Sequence, residues 1–99
     1  MFNGTKIISQ SVQDAVPLWL QNVIWYVLET MDIPVQSAVQ SFRLTSQPKT
    51  DDPRSYHLTV LHCQQHPYYR KEHALTAPRP VTAHILVIDN PPHCFMLLC

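Results

Sequence analysis

LHCQQHPYYRKEH, residues 61–73, places His62, Cys63, His66 and His73 within thirteen positions. The fold depends on whether this is a metal site or a strand whose end runs into a loop. A structural zinc site needs four convergent ligands, commonly spaced C-x2-C or H-x3-H. Cys63 and His66 have the first spacing, and His62 and His66 the second. The second pair shares a face only on a helix, and both flanks oppose a helix: Thr59-Val60-Leu61 is strand-like, and Pro67 follows at once. On a strand, His62 and Cys63 point to opposite faces and cannot hold one ion. The stretch therefore reads as strand, then connection, with no metal and no cofactor expected. A metal, if bound, would fall to His62, His66, His73 and His93.

Outward from there, YHLTVLHCQ (56–64) is β-branched and aromatic enough for a strand. Residues 66–80 read as a long, irregular, proline-bounded connection with one helical turn near Tyr69–Ala74. VTAHILVID (81–89) has the strongest strand pattern, and Asn90-Pro91-Pro92 turns it into a last strand, HCFMLLC. Upstream, KIISQSV (6–12) is a candidate first strand and VQSFRLTS (39–46) another, followed by a polar loop, QPKTDDPRS (47–55), in which Asp51 and Asp52 are turn-formers.

One segment has helical periodicity. In VPLWLQNVIWYVLETM, Val16, Leu20, Val23, Ile24, Val27 and Met31 recur at steps of three and four. Asp14 and Pro17 mark its start, and Asp32-Ile33-Pro34 its end. The expected architecture is a single α+β domain over 1–99. One helix in the N-terminal half packs on a mainly antiparallel sheet of four to five strands, in the order β-α-β-β-β-β.

Two features exceed what a core needs. Leu18 and Trp25 lie opposite the helical stripe, seven residues apart on one face. In the 81–89 strand, His84, Leu86 and Ile88 alternate with Ala83, Ile85 and Val87, so both faces are apolar. Either the strand is central and covered on both sides, or its second face meets another protein.

Composition narrows the function. Seven basic and seven acidic residues cancel, which removes the clustered positive field that phosphate binding requires. A single glycine, Gly4, excludes glycine-rich phosphate loops. The N-terminus has no basic segment before an apolar run, and the odd count of three cysteines points to free thiols in a reducing cytoplasm. Thiol catalysis through Cys63, Cys94 or Cys99 would need an oxyanion-donor array that one glycine hardly supplies. Tyr68-Tyr69-Arg70-Lys71 mixes aromatics with positive charge, which suits either a single-stranded nucleic acid or a protein hot spot.

Four blocks in order resemble a small family known as domain of unknown function 960. They are Met1-Phe2; V-P-x-x-L-Q-x-x-I-W (Val16 to Trp25); H-x-Q-x-x-P-x-Y (His62, Gln64, Pro67, Tyr69); and V-I-D-x-x-x-H-x-x-M-L-L (Val87 to Leu98). The resemblance implies a compact α+β domain found in Gram-positive bacteria, their phages and mobile elements, and implies no activity. Cys63, His66, His73 and Cys94 lie outside the pattern. Gln65 stands where an acidic residue is usual, and Phe95 where a small hydroxyl residue is usual.

The expectation is thus a non-enzymatic, cytoplasmic, protein-binding module of a phage or mobile element. Its concrete form is an anti-CRISPR-like inhibitor that blocks contacts or assembly of a host nuclease or its nucleoprotein complex. Leu18, Trp25, Tyr68, Tyr69 and Arg70 are its contact residues; homodimerisation is admitted, and direct nucleic-acid binding is not expected. One alternative is a small metal protein or hydrolase using His62, His93 and Asp89 at adjoining strand ends. A second is RNA or single-stranded DNA binding through Tyr68–Lys71.

Overall fold

A computed structural model describes residues 2–99, so Met1 of the Met-Phe start lies outside the described residues. The chain forms β1 (Thr5–Ile8), α1 (Gln10–Ala15), α2 (Leu18–Glu29), β2 (Val39–Pro48), β3 (Tyr56–Gln64), β4 (Tyr69–Ala77), β5 (Ala83–Asn90) and β6 (His93–Leu98). All six strands join one sheet, in the order β1-β6-β5-β2-β3-β4. Neighbours are antiparallel except β1, which runs parallel to β6. This corrects the expected architecture of one helix on four to five strands: among the described residues there are two short helices, and a six-stranded mixed sheet holds most of the regular structure.

Both added elements have local causes. Residues 6–12 do not continue as one strand, because Ser9 caps a helix: its Oγ accepts from the Val12 N–H at 3.3 Å. Val12 then turns inward and is fully buried. Pro17 forces Val16 to extended backbone, ending α1 and starting α2. Gln21 secures that junction by donating its Nε2 to the Val16 carbonyl at 2.8 Å.

The fourth strand is the larger surprise. Tyr69–Ala77 pairs with β3 along its whole length, from Gln64 opposite Tyr69 to Tyr56 opposite Ala77. It is an edge strand whose first half carries Arg70, Lys71 and Glu72, so it lacks the apolar alternation that marks a half-buried strand. Charges on an edge deter pairing with other chains.

The helices cover one sheet face. Buried side chains fall on alternate residues: Phe42 and Leu44, Leu58 and Val60, Ile85 and Val87, Cys94 and Met96. Against them pack Val12, Leu20, Ile24 and Leu28 of the helical layer. Gly4 permits the approach of β1 to the β5–β6 turn. A Cβ there would lie 2.4 Å from the Pro92 carbonyl oxygen, which accepts from the Thr5 N–H at 2.9 Å.

Candidate functional site

Three arrangements hold the polar and apolar chemistry of this chain. The first lies under the helical layer. His62, Gln40 and Gln64 are buried polar side chains on neighbouring strands. Gln40 Nε2 donates to Gln64 Oε1 at 2.6 Å and to the Ser37 carbonyl at 2.9 Å. Its Oε1 therefore faces His62, whose Nε2 carries the proton and donates at 2.6 Å. Gln64 Nε2 donates to the carbonyls of Val35 and Pro67, and its Oε1 also accepts from the Ser37 N–H. Phe42 stacks on the imidazole at 4.3 Å, and Tyr69 meets it edge-on at 5.3 Å. The H-x-Q-x-x-P-x-Y block is thus a lock that fastens the segment before β2 and the β3–β4 turn to the core.

Burial lowers the His62 pKa to about 4, with His73 repulsion adding to the effect. The ring is neutral near pH 7, and its Nδ1 has no hydrogen-bond partner among the described residues. Nor does the alternative site assemble. His62 is on β3 and His93 on β6, with β5 and β2 between them, so their strands are about 14 Å apart at the usual spacing. Asp89 sits opposite Cys94 and accepts its S–H at 3.5 Å, on the sheet face away from His93. Burial, more than any other cause, raises the Cys94 pKa, which keeps the thiol protonated. His66 lies in the β3–β4 turn and His73 on β4. No cluster of three or more metal-ligating side chains occurs among the described residues.

The second arrangement is the set of expected contact residues, which the fold scatters. Trp25 does not project away from the core; it is only 6% exposed. The Lys6 Nζ lies 5.3 Å from its ring centroid, and the same ammonium pairs with Glu29 at 3.8 Å. The helical stripe is wider than steps of three and four from Val16 suggest, and it includes Gln21 and Trp25. Leu18 is 67% exposed. Its neighbours Pro17 and Trp19 face Pro78, Arg79 and Val81 beyond the C-terminal end of β4, across a cleft of about 280 Å³. Tyr68, 71% exposed, sits before the other end of β4, roughly 27 Å away along nine residues. Tyr69 and Arg70 point to opposite faces, and Arg70 pairs with Glu72 at 3.1 Å. These five residues form no single surface, and Tyr68–Lys71 forms no one-sided stacking platform.

The third arrangement is the sheet face opposite the helices. Register aligns Ile7, Phe95, Ile88 and Val39 in one row across β1, β6, β5 and β2. A second row contains Leu97, Leu86, Ser41 and Cys63. None of these side chains is buried; Ile7 and Val39 are 39% and 45% exposed. In the second row, Ser41 Oγ and His84 Nε2 are hydrogen-bonded at 2.9 Å. They line a shallow cleft of about 270 Å³ with Val39, Cys63 and Leu86. A hydroxyl on an imidazole is the opening contact of nucleophilic catalysis. Among the described residues, however, no carboxylate hydrogen-bonds the ring. The two-sided apolar pattern of residues 83–88 signals this face; the pairing of Ser41 with His84, 43 positions apart, leaves no sequence signal.

No protein-family model matches the chain, and no curated protein does. Among solved structures, it is similar to a crystal structure of a protein of unknown function from Enterococcus faecalis. The TM-score is 0.68 and the identity 20%, covering 96% of this chain and 87% of that one. This likeness shows the fold alone. No helix among the described residues is long and apolar enough to cross a membrane.

Proposed function

We propose that this chain is a non-enzymatic protein-binding module that docks through the uncovered face of its sheet. The observation that carries this reading is the pair of cross-strand rows led by Ile7 and Leu97, the first apolar over four strands and the second over two before Ser41, with no helix over them among the described residues. A contiguous apolar surface rimmed by polar groups gains by burial against another protein. The surface is broad and its clefts are shallow, which suits a protein more than a small molecule. Ser41 and His84 act here as a polar anchor within the apolar field.

The narrower form of the reading, occlusion of a host nuclease or its nucleoprotein complex, rests only on the phage and mobile-element setting that the sequence resemblance implies. Three free cysteines suit a cytoplasmic setting. The test compares immobilised wild type with Leu86→Lys as bait in bacterial lysate. A protein retained by the wild type and lost with Leu86→Lys supports docking on this face. A protein retained equally by both removes it.

A further inference from the structure

We infer that the open sheet face is the interface of a symmetric dimer, its occupant a second copy of this chain. This rests on the reading of that face as a protein-docking surface and names the partner.

The face is complementary to itself. Consider a two-fold axis lying in the interface, parallel to the strands and running between β5 and β2. It reverses the strand order, so β6 of one copy faces β3 of the other and β5 faces β2. Leu97 then lies over Cys63 of the second copy, Leu86 over Ser41, and Ile88 over Val39. Each central contact is apolar on apolar or apolar on a small hydroxyl. Two sheets packed in this way keep their strands within about 30° of each other, as in a β-sandwich.

Charge gives the second argument. The ionised side chains on this face are Arg43, Arg70 and Glu72, and Arg70 and Glu72 already pair with each other at 3.1 Å on the edge strand. The same axis sets Arg70 by the C-terminal end of β1 of the second copy and Glu72 beyond it, at the rim. Arg43 comes over His84 at one end. The chain has no net charge, so two copies meet without overall repulsion.

Area gives the third. Six strands at about 4.8 Å, by about six residues at 3.3 Å, make a face of roughly 600 Å² per copy. The pair would bury about 1,200 Å², the lower end for specific complexes. The dimer is therefore concentration-dependent and dissociates on dilution.

Sedimentation velocity over a wide concentration series tests the proposal on the full chain. The expected result is a mass rising from 11.4 kDa toward twice that value for the wild type. Leu86→Lys should stay monomeric with an unchanged circular dichroism spectrum, and Tyr26→Lys on the outer surface of α2 should dimerise like the wild type. A second measurement needs no charge in the sheet. Strands β6 and β3 of one copy are too far apart for a disulfide, about 14 Å against a limit near 7 Å. In a Cys99→Ser background, mild oxidation should therefore join Leu97→Cys to Cys63 only between copies, giving a covalent dimer that Cys63→Ser abolishes. A monomeric wild type at every concentration overturns the proposal. So does a dimer that survives Leu86→Lys or is lost with Tyr26→Lys. A monomer whose lysate partner depends on Leu86 overturns the second copy alone; a monomer with no such partner overturns protein docking as well.

Discussion

The two faces of the sheet are built from alternate residues of the same strands, and along β5 and β6 both faces carry aliphatic or aromatic side chains. Under the helices, Gln40 and Gln64 use their amides fully, and His62, bonded through Nε2, is held between Phe42 and Tyr69. On the other face, Phe95, Leu97, Leu86 and Ile88 have neighbours within the sheet, stay partly exposed and, among the described residues, have no helix above them. The difference teaches that strand patterning alone does not distinguish a core from an interface. Coverage does, and one layer of two short helices covers one side.

The sharpest test of that contrast is paired truncation. Phe42→Ala, beneath the helices, should cost about 3–5 kcal/mol, read from urea unfolding midpoints. Leu86→Ala on the open face should cost well under half of that, because its site can refill with solvent. Equal costs would mean that the open face is as well packed as the core.

Acid should act through the covered face next. The unfolded chain binds a proton at His62 with a pKa near 6.5, whereas the native chain holds it back to about 4. Stability is then complete above pH 6.5, falls as pH drops through that window, and loses roughly 3 kcal/mol by pH 4. His73, also lowered by burial and by Lys71, adds to the slope in the same direction. Unfolding midpoints at stepped pH measure it, and a flat profile would contradict a neutral buried imidazole.

Gly4→Ala tests the join of β1 to β6, where the added methyl meets Pro92 backbone. About 1–3 kcal/mol of destabilisation is expected, with amide exchange fastest in β1. Smallest of all, Leu18→Ala should change stability by no more than about 0.5 kcal/mol, against several times that for Trp25→Ala. Similar values in a thermal melt would put Trp25 outside the core.

Much of the fold is legible because burial leaves a period in the sequence. Residues 56–64, 81–89 and 93–98 alternate, and the helix repeats at three and four. Strand β4 is not legible because an edge strand, covered by no second layer on its outward face, tolerates Arg70, Lys71 and Glu72 where periodicity would be sought. Helix α1 is short and carries one buried residue, Val12, so it too has no period. Trp25 falls outside the periodic stripe yet inside the core for a geometric reason: a stripe drawn at steps of three and four is narrower than the face a broad sheet covers.

The sequence by itself determined most of the strands, the longer helix and the two-sided apolar character of residues 83–88. Only the tertiary structure decided that His62 and Gln64 form a lock, that Trp25 is interior, and that the surplus apolar surface lies on the sheet. The physical reason is that periodicity records which side of an element is apolar. What covers that side is set by contacts between residues tens of positions apart.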